Sequence, residues 1–570
     1  MFTLGIHDGH TATACLMKDG SILACISEER LNRIKEWGGF PEDAILECLR
    51  FSKINPSEID GVGMVGLIEP TLPQNYNQPS LLKKMFGIGT YVLPDSFLQS
   101  DLWLKGAKKV GSFFRNKKEI KGRLQKLGIK VEPTFYEHHF LHAVTAHFCS
   151  WFGTEKNLVI TCDGSGDAVC ASVNIGEGKK IKRVAEISTY NSIGEFYTKI
   201  TQYLGMKPMS HEYKVMGLAP YAKEEHSKKT LELFDQFFRV ENESPLIFRN
   251  TSGYWKWQYI DVFREKLFGH RFDNIARAAQ ILVEKILVAW ILNCIRQTSI
   301  KTLALSGGVF MNVKANHLIL NLPEVERLFI FPSCGDESLP IGAAIAKGLE
   351  LGNDTIEPLG PIYFGQDFSE EEIEEVVRKE CREFKVEEIE NIEEFVGSQI
   401  ARGKVVARFS GRMEWGARAL GNRSILADAR NRDVVMKINE AIKNRDFWMP
   451  FAPSILEERA DEYLINTKGY YSPYMIMAFQ TKEKAKRDLI AALHPYDFTA
   501  RPQVVRENWN PPFFQILKTF ENITGIGGLL NTSFNLHGDS IVCMPQDAIY
   551  TFKNSALDAL AIGNYYISRK

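Results

Sequence analysis

The residues best equipped for chemistry fall into two groups of opposite character. His138 and His142 stand four apart in Glu137-His-His-Phe-Leu-His-Ala143, so on a helix both imidazoles share one face, where neutral ring nitrogens hold iron, zinc or a similar ion. Helices carry such pairs by accident. The pair gains weight from Asp163 and Asp336, two acids at strand-end turns that would complete a nitrogen and oxygen ligand set, turn capping being the plain alternative for both. The second group is cationic: Arg412, Arg418 and Arg423 lie within Gly411-Arg-Met-Glu-Trp-Gly-Ala-Arg-Ala-Leu-Gly-Asn-Arg-Ser424, with Lys443, Arg445 and Arg501 further on. Guanidinium groups match phosphate and carboxylate oxygens two at a time, and Gly411, Gly416 and Gly421 let backbone come close to such a ligand. Any single Arg is more simply read as part of a salt-bridged surface. Asn531 and Ser533, in Leu530-Asn-Thr-Ser-Phe-Asn535, add neutral donors at another strand end. A metal-type group and a phosphate-type group on one chain imply an enzyme that works in two stages.

A catalytic base has thinner support. His7 and His10 follow the first apolar run, where an imidazole accepts a hydroxyl proton or serves as a hydrogen-bonded turn residue. His211 and His537 have no spacing behind them. The glycine turns Ser306-Gly307-Gly308 and Gly164-Ser-Gly166 expose backbone N–H groups that cradle phosphate, or are tight strand exits.

These groups need elements to hold them. Leu4-Gly-Ile-His-Asp8-Gly9 is an apolar run ending in Asp-Gly, followed by a strand-like Ala12 to Met17, the turn Lys18-Asp19-Gly20 and another strand. Leu158-Val-Ile-Thr-Cys-Asp163-Gly164 repeats that order, and each Asp precedes a Cys, Cys15 or Cys170, by seven residues. Two copies of one hairpin plan predict duplicated lobes about a cleft. Runs ending at Ser306 and near Asp336 supply two more strand exits, where ligands of α/β sheets gather. Helices are expected over Ile275 to Gln297, Pro340 to Leu351, Glu370 to Lys379 and Val434 to Lys443, strands over Val405 to Phe409 and Tyr474 to Phe479, and a linker over Leu351 to Gly365.

At 570 residues the chain exceeds one core, so two or more domains follow. A net charge of -1 with cations spread along the chain disfavours nucleic acid as a partner. The N-terminus lacks the pattern of a signal peptide, and Glu284 and Lys285 mark the most apolar stretch as a buried helix, so no membrane partner is expected. Ten cysteines without a Cys-x-x-Cys pair read as reduced core thiols of a cytoplasmic protein.

Gly9-His10, Ser27-Glu-Glu-Arg-Leu-Asn-Arg33, Glu137 to Ala143, Glu212-Tyr-Lys-Val-Met-Gly-Leu-Ala-Pro220, Ser306-Gly-Gly-Val-Phe-Met-Asn312, Gly411 to Arg430 and Leu530 to Asn535 together resemble the O-carbamoyltransferases of antibiotic tailoring and nodulation-factor modification. The resemblance spans nearly the whole chain. It implies an α/β fold with a duplicated, two-lobed ASKHA-type domain over 1–355 that performs carbamoyl transfer, and a YrdC-like α/β domain over 356–570. The latter would make carbamoyladenylate from carbamoyl phosphate and ATP, with Mg accompanying the ATP and pyrophosphate released. The former would pass the carbamoyl group to a hydroxyl of a sugar or natural-product acceptor. By the same resemblance His138, His142, Asp163 and Asp336 are metal ligands, with iron the expected ion, and His10 is the acceptor-side histidine. Arg418, Lys443, Arg501 and Ser533 match the family's phosphate and nucleotide site, with Arg418 and Lys443 expected to act in catalysis; Arg445 and Asn531 are expected beside them from their own chemistry, and Gly307, Gly308 and Asn312 are the expected nucleotide wall of the first domain. A homodimer is an open expectation. Thr11, where relatives often have Asp, and Met449, where some have Arg, depart from the pattern. Carbamoylation of a nitrogen acceptor or of tRNA is the alternative activity, and a binding module the alternative class.

Overall fold

Asp19 and Gly20 both adopt left-handed backbone, the pair of conformations a tight two-residue hairpin turn requires, and around that turn the first sheet is built. The computed structural model describes every residue except 71, 73–105, 107, 108, 110–114 and 242. The chain divides into two units, Met1–Glu28 with Glu36–Leu359, and Glu29–Lys35 with Gly360–Lys570.

In the first unit, β1 (Phe2–His7), β2 (Thr13–Lys18), β3 (Ser21–Ser27), β4 (Ile59–Val65) and β5 (Pro133–Tyr136) form a sheet of order β3-β2-β1-β4-β5. Further along, β6 (Asn157–Gly166), β7 (Val169–Glu177) and β8 (Lys180–Ser188) precede a small ribbon of β9 (Phe238–Val240) and β10 (Phe248–Asn250), and then β11 (Thr302–Ser306) and β12 (Arg327–Ile330). Their sheet has the order β12-β11-β6-β7-β8. Matching β1 to β6, β2 to β7, β3 to β8, β4 to β11 and β5 to β12 reproduces every neighbour and every direction: two antiparallel hairpin contacts, then two parallel ones. The expected duplication is therefore present as topology, in the ASKHA-type arrangement. The spacing from Asp to Cys is not part of it. Cys15 pairs with Gly5, three residues before Asp8, whereas Ile160, three before Asp163, pairs with Val173. A register shift between Cys162 and Gly166 lengthens the second hairpin and makes the equal spacings a coincidence.

The helices are exchanged between the lobes. His138–Phe148 follows β5 but packs on β6 and β11, while Leu339–Glu350 follows β12 but packs on β1 and β4, and the two helices pack on each other. Leu141, Leu339, Ala343 and Ala346 share one buried cluster with Val65 and Tyr136. Small residues on the second helix allow this close approach, and the exchange carries the first lobe's histidines to the second lobe's strand ends. Phe272–Thr298 is the one helix among the described residues long and apolar enough to cross a membrane, and 61% of its most apolar window is buried inside the fold. All ten cysteines are buried and free.

In the second unit, β13 (Lys385–Glu388), β14 (Val406–Phe409), β15 (Arg423–Ala427) and β16 (Ala452–Leu456) are followed by the short ribbon β17 (Leu464–Ile465) and β18 (Gln480–Thr481), then by β19 (Gln503–Val505), β20 (Gly528–Ser533), β21 (Ala559–Ile562) and β22 (Tyr565–Ser568). The eight-stranded mixed sheet has the order β13-β22-β21-β14-β15-β20-β16-β19. Two expectations change here. Tyr474 to Phe479 is buried but makes no strand, because Met475 turns left-handed and only Phe479 forms a bridge, to Ala500. The helix expected from Val434 to Lys443 is α-helical over Asp433–Ile438 and then widens into a π-helical turn, Asn439–Lys443, closed by left-handed Asn444.

Candidate functional site

The end of β6, the helix His138–Phe148 and the single 3₁₀ turn Asp336–Ser338 that leads into the helix Leu339–Glu350 bring His138, His142, Asp163 and Asp336 together, each offering one ligand atom, all within 4.8 Å of one another. Asp163 Oδ2 lies 3.2 Å from His138 Nε2 and 3.3 Å from His142 Nε2, and Asp336 Oδ1 lies 3.5 Å from His138 Nε2. With metal–ligand bonds of about 2.1 Å, the edges of an octahedron or tetrahedron run roughly 3.0–3.4 Å, so these separations suit one shared cation. The donor set agrees. An Nδ1–H of His142 donating to Ser306 Oγ at 3.1 Å leaves the Nε2 lone pair facing the Asp163 carboxylate, a repulsion that a cation between them converts to attraction. His139, on the same helix, bonds Thr161 Oγ1 at 2.8 Å and Val169 O at 3.1 Å and is a structural histidine.

The helix is set by its own cap. Glu137 accepts from Phe140 N at 2.6 Å, and Asp167 accepts from His138 N at 2.8 Å and from Leu67 N and Ile68 N. Gly166 has to be glycine, since a Cβ there would fall on the His138 ring. Electrostatics divide the two histidines. Burial opposes charge on His138, but Asp336 and Asp163 overcome it and raise its pKa to about 9; His142 is lowered, burial leading. Asp163 stays well below the usual carboxylate range, burial being outweighed by its hydrogen bonds to both histidines.

Beside this cluster, His7 Nε2 lies 3.6 Å from Asp336 Oδ2 and 3.0 Å from His10 O. The His10 imidazole is lowered, chiefly by burial, and so is neutral and able to accept a proton at pH 7. Gly307 adopts φ +109°, and a Cβ there would strike the Cys162 carbonyl, so the β11 exit runs hard against β6. Gly308 follows it against the Asp163 carboxylate. Asn312 caps the helix Val313–Leu320 through Ala315 N at 3.1 Å and exchanges two bonds with Gln280.

In the second unit Lys443, delivered by the π-helical turn, donates to Ser533 Oγ at 3.1 Å and Asn535 Oδ1 at 2.7 Å. Burial first, then Arg445 and Lys35, push its ammonium well below the usual range. Arg501 is lowered in the same way by burial, Arg418 and Arg445, and donates to Met475 O at 3.2 Å. Arg445 reaches Thr532 Oγ1 at 3.2 Å. Buried cations that depress one another are stabilised by an arriving anion, as a phosphate site requires. Other members have internal work. Asn531 gives its amide hydrogens to Ala419 O, Ser454 Oγ and Gln503 Oε1, Arg412 donates to Gly365 O, and Arg423 is fully buried over the Phe409 ring with bonds to Ser410 O and Gly411 O. His537 Nδ1 meets the Lys443 carbonyl at 2.5 Å, and His211 Nδ1 accepts from Lys207 N. Sequence reasoning missed Asn535, whose place in the Leu530 to Asn535 run was its one signal, and Asp167, which shows only as the last acid of Asp163-Gly-Ser-Gly-Asp167.

Fold and site together define a two-unit enzyme with a cluster of candidate metal ligands in one unit and a cluster of cationic side chains in the other. Family models described as "Carbamoyltransferase N-terminus" and "Carbamoyltransferase C-terminus" match residues 3–345 and 397–569. The chain belongs to the carbamoyltransferase family. It is 32% identical to nodulation protein NolNO of Sinorhizobium fredii over 99% of this chain and 79% of that protein, and 32% identical to an uncharacterized protein of Methanocaldococcus jannaschii over 99% of each. It is also 29% identical to 3'-hydroxymethylcephem-O-carbamoyltransferase of Amycolatopsis lactamdurans over 47% of this chain and 49% of that one.

Proposed function

We propose that this carbamoyltransferase works in two half-reactions and delivers its carbamoyl group to a hydroxyl of a small molecule. In the second unit, in the YrdC-like role, water cleaves the P–O bond of carbamoyl phosphate to give carbamate and phosphate, and the carbamate oxygen then attacks the α-phosphorus of ATP, giving carbamoyladenylate with pyrophosphate as the leaving group. Arg418, Lys443, Arg445 and Arg501 hold the phosphate oxygens, and Ser533 donates a hydroxyl beside Lys443. Their mutual repulsion is relieved when the polyanion binds, and the relief is greatest where negative charge concentrates in the transition state. In the first unit, spanning 1–355 in this reading, the acceptor oxygen attacks the carbamoyl carbon and AMP leaves. His10 takes the hydroxyl proton. Gly307, Gly308 and Asn312 form the wall against which the adenylate lies. A divalent cation held by His138, His142, Asp163 and Asp336, iron in this reading, would polarise the carbamoyl carbonyl as a Lewis acid.

The observation that supports this most directly is the convergence of those four ligand atoms within 4.8 Å beside His7 and His10, while the cation cluster lies in the other unit. Pyrophosphate and carbamoylated product, measured in parallel with a small hydroxyl acceptor and labelled carbamoyl phosphate, test it. Lys443→Ala is expected to lower pyrophosphate release by roughly a hundredfold or more, the loss of about 2–4 kcal/mol of charged contact. His142→Ala is expected to retain pyrophosphate release and lose product. Failure of both variants at one step refutes the division of labour.

A further inference from the structure

The run Ser27-Glu-Glu-Arg-Leu-Asn-Arg33 has no part in the chemistry above, yet it has an unusual position. Glu28 is held in the first unit and Glu36 returns to it, taking bonds from Lys207 and Ser210, while Glu29–Lys35 belongs to the second unit. Within that unit the segment grips two loops. Arg30, 7% exposed, donates from Nη2 to Gly416 O at 2.8 Å. Arg33 donates from Nη1 to Ile541 O at 2.6 Å and from Nη2 to Ser540 O at 2.9 Å, and its Nε lies 3.7 Å from Asp547 Oδ1. Leu31, between them, packs on the buried cluster of Met413, Ile541 and Cys543. Arg33 also holds left-handed backbone, which a non-glycine residue keeps only where its surroundings over-determine it.

Both gripped loops carry the anion site. Gly416 is two residues from Arg418, in a loop closed on its other side by Glu414, whose Oε1 accepts from Leu420 N at 2.6 Å and Arg423 N at 3.2 Å. Ser540 and Ile541 adjoin Val542, which donates to Phe534 O at 3.0 Å, and Asp539 O accepts from the Asn535 amide that also receives Lys443. Lys35, the last residue of the segment, is among the cations that depress Lys443.

We propose that Glu29–Lys35 is a strap that shapes the anion site of the second unit, with Arg30 and Arg33 as positioning residues for the loop of Arg418 and for the turn behind Ser533 and Asn535. The strap rests on the two-stage reading only for what the site binds. Its grip on the loops is independent of that.

The test uses full-length protein with Arg30→Ala, Arg30→Lys and Arg33→Ala. Hydrogen exchange followed by mass spectrometry reports the loops, and steady-state pyrophosphate release reports the site, with KM for ATP and kcat separated. Arg30→Ala is expected to speed exchange across Gly411 to Gly421 and to lower kcat/KM for ATP by about tenfold or more, the consequence of losing one charged hydrogen bond that fixes the loop. Arg33→Ala is expected to do the same for Ser533 to Ile541. Exchange in β6 and β11 should stay at the wild-type rate, which separates a local effect from misfolding. Arg30→Lys, which keeps a charged donor toward Gly416 O, should recover most of the activity. Unchanged loop exchange in both alanine variants overturns the strap, as does faster exchange with ATP kinetics within twofold of wild type. If the wild-type enzyme releases no pyrophosphate, the two-stage reading falls and loop exchange alone decides on the strap.

Discussion

The two lobes of the first unit share one sheet plan, yet equivalent positions carry different electrostatics. After β1, Asp8 meets Arg115, Oδ1 to Nη2 at 2.6 Å, and the Arg115 side chain is fully buried. At the matching end of β6, Asp163 meets two imidazoles instead. An arginine neutralises a carboxylate permanently and leaves no lone pair for a ligand, whereas an imidazole can give up its proton and offer a ring-nitrogen lone pair to a cation. Duplication thus supplied two strand-end acids, and the partner of each decides whether it ties the fold together or offers a cation seat.

The largest effect expected from breaking that difference is at Asp163. Asp163→Asn should reduce metal affinity on the order of a thousandfold or more, beyond the range of outer-shell partners, and abolish carbamoyl transfer. Asp8→Asn should retain the metal but lose on the order of 3 kcal/mol of stability, since the buried Arg115 would lose its shortest, charged partner and keep the longer contacts to Glu69 Oε2 at 3.4 Å and Val65 O at 3.3 Å. Elemental analysis and denaturant melts of both variants check the pair. Metal loss in Asp8→Asn with normal folding would show that the lobes are not so divided.

A smaller effect sharpens the comparison from within the second lobe. Ser306→Ala removes the partner of His142 Nδ1 and should weaken metal binding by about ten- to hundredfold, with the fold intact. His139→Gln, on the same helix but bonded to Thr161 and Val169, should leave metal stoichiometry unchanged and cost about 1–3 kcal/mol of stability. Competition against a metal chelator measures the first, and thermal melting the second.

What could be read from the sequence follows the range of the interactions involved. The histidine pair is a local, helical spacing, and the Asp-Gly hairpins are local turn chemistry, so both show in a single strand of text. The helix at Phe272–Thr298 declared itself by apolar length, and Glu370–Glu380 lies within one residue of the Glu370 to Lys379 expected from the sequence, with Ser369 closing its start in a capping box. The exchange of helices between lobes did not, because it depends on which sheet each helix packs against rather than on its own pattern. Nor did the strap, whose Arg30 finds Gly416, a partner 386 residues away. Tyr474 to Phe479 misled for a related reason: a short continuous apolar run fits any buried extended segment, and left-handed Met475 is invisible in composition. In the cation cluster, residue type alone separates neither Arg423, spent on carbonyls and the Phe409 ring, nor Asn531, spent on three acceptors, from Lys443 and Arg501.

The smallest expected effect also separates the lobes. Glu28 N bonds Ala12 O at 2.9 Å, as Thr189 N bonds Ala168 O at 2.9 Å, so the two residues that leave β3 and β8 are equivalents. In the second lobe Ser192 caps the next helix, accepting from Glu195 N at 3.0 Å. In the first lobe the residue before the helix Glu42–Ser52 is Pro41, which has no side-chain cap, and Glu28 reaches across to accept from Ala44 N at 2.8 Å and Asp43 N at 3.3 Å. Burial, with Asp43 and Glu42 nearby, still raises the Glu28 carboxyl from 4.5 to about 7, because two amides do not replace its lost hydration. A raised carboxyl means that the folded chain binds the proton more tightly than the unfolded one between pH 4.5 and 7. Stability from this group is therefore complete below the lower value and is lost as pH rises through the upper one. After allowance for solvent screening the loss is on the order of 1–2 kcal/mol. Glu28→Gln keeps an acceptor for the helix amides and cannot ionise, so it should melt with wild type at pH 5 and above it at pH 7.5, while a change at Thr189 should leave the pH dependence alone. A wild-type melting curve that tracks Glu28→Gln at both pH values would place the first lobe's cap, like the second's, outside any protonation equilibrium.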